Sequence, residues 1–267
     1  MRTQGRVISL NNAYPLWLPL ERIPQWERWH EGAGWEVARL ASLHANIMPG
    51  DVVYDIGAEL GDFSALFATW GARVCLFEPG YRAWPNIAAT WQGNNLPPPL
   101  GCWPGFLDDQ TDDLGQAYLR TRRYQQWPRQ SRGVIAVENH FARPEERPDI
   151  PHVTLDDYVA SSKVIPTILT IDVEGSEVRV MKGAREVLAA HHPLVFISEH
   201  PQIIADTYNY PITLLHDFMA QQDYQRLELA IDHEVHALYW HPDGRRPREL
   251  DDALSVPLAP VDPSAIA

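Results

Sequence analysis

The sequence is poor in cysteine and has no long apolar run, and each lack excludes a class of protein. Only two of the 267 residues are cysteines, Cys75 and Cys102, too few and too widely spaced for a disulfide framework or a zinc signature. Both lie in apolar runs, so we expect buried free thiols in a reducing compartment. No window approaches the ~20 apolar residues of a membrane-spanning helix, and residues 1–12 lack the apolar core of a signal peptide. These features predict a cytoplasmic protein that does not associate with membranes.

Basic side chains are also scarce. There are 22 Lys and Arg residues against 35 Asp and Glu residues, which gives a formal net charge of -13. Because an excess of negative charge repels phosphate backbones, we expect no nucleic-acid partner. The one dense basic segment favours a solvated loop over a binding patch. It contains Arg120, Arg122, Arg123, Arg129 and Arg132.

Apolar periodicity predicts an α/β protein. Short apolar segments alternate with segments of helical period, an order typical of a parallel sheet with helices on both faces. Strands are predicted at 52–56, 73–77, 168–171 and 194–197, and helices at 35–48, 63–70, 81–92, 175–190 and 212–222. Two segments flanking Asp232-His233, 224–230 and 235–240, predict a hairpin at the end of the sheet. Segments 116–120 and 134–137 are predicted to pair as an antiparallel insertion.

Composition divides the chain into three parts. Four tryptophans fall within residues 17–35, which predicts an aromatic-rich N-terminal cap over residues 1–34. This cap either packs onto the core or forms an aromatic lid over a substrate such as a sugar. Residues 35–245 are predicted to form the main domain, with an irregular insertion at 118–150. The Pro- and Asp-rich residues 246–267 predict a loose tail.

The strongest local signal is a glycine turn between a strand and a helix, Asp55-Ile56-Gly57-Ala58-Glu59-Leu60-Gly61. Gly57 and Gly61 allow the backbone to approach a ligand closely. The spacing departs from the G-x-G-x-x-G of dinucleotide sites, and acids in the loop would repel a pyrophosphate. S-adenosylmethionine carries a sulfonium and an ammonium instead, and both suit an acidic loop.

Acidic residues follow two further predicted strands. Glu78 lies 23 residues after Asp55, at the position where an acid commonly accepts hydrogen bonds from a ribose diol. Asp172 and Glu174 follow the strand at 168–171, at the strand ends where open α/β sheets bind ligands. They are candidates for contact with substrate hydroxyls, for metal binding or for proton transfer. Helix capping is the alternative for one of them.

A histidine after the next strand completes the candidate chemistry. An unperturbed histidine has a pKa of ~6.5, which suits a general base, and His200 is the leading candidate for that role. Simple capping of the strand end is the alternative. A divalent cation is a candidate cofactor, because carboxylates and imidazole are common ligands of such ions. The candidate metal ligands are Asp172, Glu174, Glu199 and His200.

Together these segments resemble the FkbM family of class I S-adenosylmethionine-dependent methyltransferases. The matching segments are Tyr54-Asp55-Ile56-Gly57-Ala58, Gly61-Asp62-Phe63-Ser64, Phe77-Glu78-Pro79, Thr154-Leu155-Asp156-Asp157, Ile171-Asp172-Val173-Glu174-Gly175-Ser176-Glu177 and Met181-Lys182-Gly183-Ala184. The glycine loop is generic to the class, whereas the last two segments are much more specific. The resemblance covers about residues 35–240 and departs at Glu59, where members often carry a small polar residue. Residues 1–34 and 118–147 match no family motif, and we expect substrate choice to reside there.

The resemblance implies a Rossmann-like α/β fold of about seven mostly parallel strands that ends in a C-terminal antiparallel hairpin. It also implies O-methyl transfer to a hydroxyl of a glycan or a small secondary metabolite. N-methyl transfer and a nicotinamide-dependent oxidoreductase on a similar fold are the alternatives. The expected catalytic residues are His200, Asp172 and Glu174. The expected S-adenosylmethionine site comprises Asp55, Gly57, Ala58, Glu59, Gly61, Phe63, Ser64, Glu78, Pro79 and Asp172.

Overall fold

A seven-stranded sheet lies at the centre of the computed structural model, which describes residues 3–29, 34–127 and 147–250. The strands are β1 (Gly5–Leu10), β2 (Tyr14–Pro19), β3 (Val52–Ile56), β4 (Arg73–Phe77), β5 (Gly101–Trp103), β6 (Phe106–Leu107), β7 (His152–Val153), β8 (Ile168–Ile171), β9 (Leu194–Glu199), β10 (Gln225–Ile231) and β11 (Val235–Trp240). The helices are α1 (Ile23–Trp29), α2 (Val37–Asn46), α3 (Asp62–Thr69), α4 (Ala83–Gly93), α5 (Asp113–Thr121), α6 (Leu155–Ser162), α7 (Glu177–Lys182), α8 (Arg185–His191), α9 (Pro201–Tyr208) and α10 (Thr213–Gln221).

The strand order in the central sheet is β10-β11-β9-β8-β3-β4-β5. Strands β9, β8, β3, β4 and β5 are parallel, and β11 runs antiparallel to both β9 and β10. The predicted α/β fold, with about seven mostly parallel strands and a C-terminal antiparallel hairpin, is confirmed. Asp55 pairs with Thr170 and Ile56 with Ile171, so the ends of β3 and β8 lie level. The loops that follow these two strands therefore meet at one edge of the sheet.

Apolar side chains explain why β3 and β8 occupy the middle of the sheet. All four residues of β8 are buried, as are four of the five in β3, which is the pattern of parallel strands covered on both faces. The N-terminal hairpin adds Leu16 and Leu18, and α1 adds Trp26, to the same apolar cluster as Val53. The predicted packing role of these N-terminal residues is therefore supported. The three-part division of the chain stays a prediction.

Two predictions of secondary structure need correction. Residues 116–120, predicted as a strand, lie in α5, because the side chain of Asp112 accepts a hydrogen bond from the amide of Gly115 and begins a helix there. The partner segment 134–137 lies outside the described residues. The helix predicted at 175–190 is divided into α7 and α8 around Gly183, where a Cβ atom would stand 2.0 Å from the carbonyl oxygen of Asp108.

The described start of the predicted loose tail is held by polar contacts. Asn46 donates hydrogen bonds to both carboxylate oxygens of Glu249 at 3.0 Å and accepts one from the amide of Arg248. Just before it, Arg245 pairs with Asp51 at 2.9 Å. Residues 246–250 are thus fixed against α2, and the rest of the tail lies outside the described residues.

The expectation of buried free thiols is confirmed. Cys75 and Cys102 are buried free thiols, while the cytoplasmic location inferred from them stays a prediction. Across residues 3–29, 34–127 and 147–250, every helix is too short or too polar to cross a membrane. Of the basic segment, Arg120, Arg122 and Arg123 are exposed at the end of α5, and its other two arginines lie outside the described ranges.

Candidate active site

A cavity of about 640 Å³ opens where β3, β4 and β8 end. Its floor is formed by the loops that follow these strands, at residues 55–60, 77–80 and 172–174. Its walls come from α1, from the start of α2 and from Glu234 in the hairpin between β10 and β11. The cavity brings the three acidic signals of the sequence to one place. Its position matches the crevice at strand ends where open α/β sheets bind ligands.

Asp55 at the end of β3 is held from two sides. Its carboxylate accepts a hydrogen bond of 2.9 Å from the Thr170 hydroxyl on β8 and another from the hydroxyl of Ser64 on α3. Burial raises the pKa of Asp55, and these two bonds oppose the rise. Ser64, predicted to contact the cofactor, is fully buried behind Asp55. Its role is to fix the loop.

The two glycines of the loop leave room for neighbouring parts of the protein itself. Gly57 has a φ of +83°, and a Cβ atom there would stand 1.8 Å from the carbonyl oxygen of Asp172. Gly61 has a φ of +79° and begins α3, and a Cβ atom would lie 3.0 Å from the Ile87 side chain. The sequence-based reason for these glycines, a close approach to ligand, is therefore incomplete. Both keep the loop packed against its neighbours.

Glu78, which follows β4, presents an oriented carboxylate to the cavity. One oxygen accepts from the amide of Glu59 at 2.9 Å and the other from the amide of Gly80 at 2.5 Å. Burial raises the pKa of Glu78 to about 8; the two amide bonds oppose the rise, and the neighbouring acids Glu59 and Asp55 add to it. A ligand that donates two hydrogen bonds would stabilise the ionised form of this side chain.

An ion pair that the sequence gave no sign of also lines the cavity. Arg39 on α2 contacts Glu36 at 2.6 Å and Asp172 at 3.1 Å. Both Arg39 and Glu36 are buried and line the cavity. Burial raises the pKa of Glu36 to about 7, against the opposing effect of Arg39. Glu36 directly precedes α2 and Arg39 lies in its first turn.

His200 lies behind the acids of the cavity. Its Nδ1 contacts Glu177 Oε1 at 2.5 Å. Its Nε2 faces carboxylate oxygens of Glu234 at 3.3 Å, Glu174 at 3.5 Å and Asp172 at 3.7 Å. Burial opposes its charge, but Glu177 and the other acids raise the pKa of His200 to about 11. Without a bound cation His200 would therefore be an imidazolium, which cannot accept a proton, so this arrangement argues against the predicted role of His200 as general base.

Glu199 does not join this cluster. Its carboxylate is bound by Arg226 at 2.9 and 3.0 Å and by the hydroxyl of Tyr239 at 2.5 Å. Successive residues of a strand point to opposite faces, so Glu199 and His200 diverge at the end of β9. The predicted set of candidate metal ligands is corrected in one position: the side chains close enough to hold an ion include Glu234, which sequence reasoning missed, and not Glu199.

Aromatic side chains form one wall of the cavity. The rings of Trp29 and Trp35 stack with centroids 4.5 Å apart, and Trp35 stacks on His233 at 4.1 Å. Trp26 donates a hydrogen bond of 2.5 Å to Asp62. Among the residues predicted for the cofactor, all but Gly61 and Ser64 line the cavity. The N-terminal tryptophans thus both pack onto the core and face the cavity.

The sequence matches a family model described as the methyltransferase FkbM domain over residues 55–226, more than half of the chain. The chain belongs to the FkbM methyltransferase family. Its seven-stranded sheet is the class I fold expected for that family. Family membership argues against the alternative of a nicotinamide-dependent oxidoreductase.

Several solved methyltransferase structures are similar to this chain. A methyltransferase FkbM from Methylobacillus flagellatus KT is 16% identical, with 83% of this chain and 59% of that chain covered and a TM-score of 0.47. TYW2 of M. jannaschii in complex with AdoMet is 12% identical, with 90% and 86% covered and a TM-score of 0.46. A T. thermophilus 16S rRNA methyltransferase in complex with AdoMet and guanosine is 11% identical, with 89% and 50% covered and a TM-score of 0.44. This chain thus spans about three fifths of the Methylobacillus protein. No curated protein matches the sequence.

Proposed function

We propose that this methyltransferase transfers the methyl group of S-adenosylmethionine to a hydroxyl of a glycan or a small secondary metabolite. The observation that carries the proposal is the composition of the cavity, which is lined by the proposed cofactor loop together with further carboxylates and tryptophans. Its volume of about 640 Å³ is typical of a small-molecule site.

The cofactor site is proposed along the loop from Asp55 to Phe63 and at Glu78. In this arrangement the Glu78 carboxylate accepts hydrogen bonds from the ribose diol, since its two oxygens are already held in place by backbone amides. Ala58, Glu59, Phe63 and Pro79 complete the lining. The acids of the loop favour the positively charged methionine portion of the ligand over a pyrophosphate.

Acceptor chemistry is proposed on the opposite side of the cavity. The acceptor oxygen forms a bond to the methyl carbon while the carbon–sulfur bond breaks, and S-adenosylhomocysteine leaves with the electron pair. The hydroxyl proton passes to a carboxylate of the crevice. Asp172 and Glu174 are the predicted candidates, and Glu36, with its pKa near 7, is a further one. A base with a pKa near the working pH is the most effective for such a transfer.

The substrate class is argued from the aromatic wall and the charge. Stacked rings beside carboxylates, as at Trp29 and Trp35, suit a hydroxyl-rich ligand with an apolar ring face, such as a sugar. Acids dominate the wall around Glu36, Asp172, Glu174 and Glu234, which disfavours a phosphate backbone. A polynucleotide acceptor is accordingly not proposed.

The test is methyl transfer from radiolabelled S-adenosylmethionine to matched pairs of acceptors, each pair differing only in an amine for a hydroxyl. We expect label in the hydroxylated sugars or polyketide-type alcohols, and mass spectrometry of the product should locate a methoxy group. Label confined to the amines would replace the proposal with N-methylation. Label in RNA alone would refute the substrate class.

A change at Glu78 tests the cofactor site. We expect Glu78→Gln to weaken S-adenosylmethionine binding by about 10- to 100-fold, because two hydrogen bonds to a charged acceptor are lost or reversed. Isothermal titration calorimetry measures the affinity. The matched control is Glu228→Gln, which removes the same charge from a side chain that is 47% exposed and lies outside the cavity lining; less than a ~3-fold change is expected. Equal losses in both variants would show that only net charge matters.

The affinity for S-adenosylmethionine should change with pH in a direction that Glu78 determines. Because the pKa of Glu78 is about 8, the carboxyl is mostly neutral below that pH and ionised above it. The ionised form accepts both ribose hydroxyls, so affinity should rise as the pH increases through 8. The ligand's own α-amino group titrates near ~7.7–8.0, so the quantity to measure is the difference between wild type and Glu78→Gln. No difference in pH slope between the two would exclude Glu78 as the titrating group.

A further inference from the structure

We propose that Asp172, Glu174, His200 and Glu234 bind one divalent transition-metal cation at the acceptor side of the cavity. One ligand atom from each of the four side chains lies within 4.8 Å of the others. They come from three separate loops, after β8, after β9 and between β10 and β11. This inference rests on the proposed function for its chemistry, but the binding of the ion can be measured without it.

The distances from His200 to the three carboxylates fit ligand atoms around an ion better than they fit hydrogen bonds. His200 Nε2 stands 3.3, 3.5 and 3.7 Å from oxygens of Glu234, Glu174 and Asp172. Metal–ligand bonds of about 2.1 Å place neighbouring ligand atoms about 3.0 Å apart in octahedral geometry and about 3.4 Å apart in tetrahedral geometry. Three such contacts converging on one nitrogen match the edges of a coordination polyhedron.

Unsatisfied buried atoms give a second, independent indication. The side chain of His200 is only 4% exposed, and its Nε2 makes no hydrogen bond to any described residue. Oε2 of Glu234 is likewise buried without a hydrogen bond from the part of the chain that the structure describes. Buried polar atoms are rarely left unpaired, and His200 Nε2 faces carboxylate oxygens of Glu234, Glu174 and Asp172. A cation between these groups would satisfy the nitrogen.

The other nitrogen of His200 is placed as in metal sites. Its Nδ1 contacts the buried Glu177 carboxylate at 2.5 Å. Histidine ligands commonly donate their second ring N–H to a carboxylate, which fixes the tautomer and directs the free nitrogen at the ion. Glu177 is therefore a positioning residue for His200 and lies outside the set of ligands.

The ligand chemistry narrows the kind of cation. Three carboxylates and one imidazole suit Mn²⁺ or Fe²⁺ better than Ca²⁺, which takes oxygen ligands, or Cu⁺, which prefers sulfur. Asp172 has one oxygen on Arg39 and the other towards the cluster, so it connects the ion to the cavity. An acceptor hydroxyl bound to a cation there would lose its proton more easily and be fixed in position.

A neighbouring group of side chains serves as the internal comparison. Asp232, His233 and His236 are also close enough to hold an ion. In that group, however, His236 contacts Ser198 with one ring nitrogen and Asp232 with the other. Both ring nitrogens of His236 are already paired, so we assign the ion to the cluster around His200.

The test is titration of the chelator-treated full-length protein with Mn²⁺ alone, without cofactor or acceptor. We expect one saturable site per chain by electron paramagnetic resonance, with spin-echo modulation from a directly bound imidazole nitrogen. His200→Asn should abolish the modulation, and Glu234→Gln should weaken binding at least ~10-fold. The control Glu228→Gln removes a charge from a side chain that is 47% exposed in the same hairpin and should leave binding unchanged.

Each result of the Mn²⁺ titration either supports or overturns the proposed site. Absence of saturable binding, or binding without nitrogen modulation in the wild-type protein, would overturn the site and leave the His200 imidazolium as the group that balances these acids. Modulation that persists in His200→Asn would move the ion to His233 and His236. If His200→Asn fails to fold, the wild-type modulation and Glu234→Gln decide. Mn²⁺ binding by a protein that methylates only amines would retain the metal site and reject the proposed hydroxyl acceptor.

Discussion

Gly57→Ala is expected to destabilise the protein by more than ~3 kcal/mol or to prevent folding. The residue has a φ of +83°, and the added Cβ atom would stand 1.8 Å from the main-chain oxygen of Asp172. Strain at positive φ alone costs about 1–2 kcal/mol. The overlap with a backbone atom adds to that strain, because β3 and β8 are paired in register up to this point and cannot separate without breaking the sheet. Urea unfolding of the two proteins measures the difference in free energy.

The matched control for this change is Gly50→Ala. Gly50 has a comparable φ of +91°, but a Cβ atom there would have nothing within 4 Å. Only the conformational cost should remain, about 1–2 kcal/mol. Equal destabilisation by the two substitutions would show that the loops after β3 and β8 can move apart, and the account of the glycine loop given above would then fail.

The contrast between these glycines shows what the sequence could and could not predict. The pattern of strand, glycine turn and helix correctly located the loop, because its residues are consecutive and its spacing is local. The reason for Gly57 was not local, since it depends on a residue 115 positions away in the chain. Ser64 illustrates the same limit: its hydroxyl was expected in the cofactor site and instead positions Asp55.

Several motif residues turn out to organise helices. Thr154 caps α6 by accepting a hydrogen bond from the amide of Asp157. Asp156 accepts from the amides of Glu186 and Val187 at the start of α8. Gly183 allows Asp108 to approach between α7 and α8. These residues of the family motifs therefore have structural roles. The conclusion about function depends on the motif segments that line the cavity.

The acceptor side of the cavity was only partly predictable. Asp172, Glu174 and His200 follow apolar strands, and that position was enough to place them together. Arg39 and Glu234 belong to a helix and a hairpin, and their partners are distant; Arg39 and Asp172 are 133 positions apart. The sequence predicts that the strand beginning at residue 194 ends at residue 197, whereas β9 ends at Glu199. Glu199 was therefore predicted on the same face of the sheet as His200. One position along a strand reverses the direction of a side chain.

Asp172→Asn is expected to reduce kcat by about 10²- to 10⁴-fold. The substitution keeps the shape of the side chain but replaces an oxygen that faces Arg39 at 3.1 Å or His200 at 3.7 Å with an amide that donates hydrogen bonds. The charge that would take up a proton, or bind a cation beside the acceptor, is lost. Steady-state kinetics with an accepted substrate measure the effect, and Glu186→Gln, an exposed acid on α8, is the control expected to retain full turnover.

The same variant separates the two roles predicted for Asp172, in catalysis and in cofactor binding. Because the proposed ribose contact is made by Glu78, which follows a different strand from Asp172, the affinity for S-adenosylmethionine should change less than ~3-fold while kcat falls. A large loss of cofactor affinity with kcat retained would assign Asp172 to the cofactor, and unchanged turnover would remove it from the mechanism. If kcat falls and Mn²⁺ binding is lost together, Asp172 acts through the cation. If kcat falls and Mn²⁺ binding persists, the carboxylate itself accepts the proton.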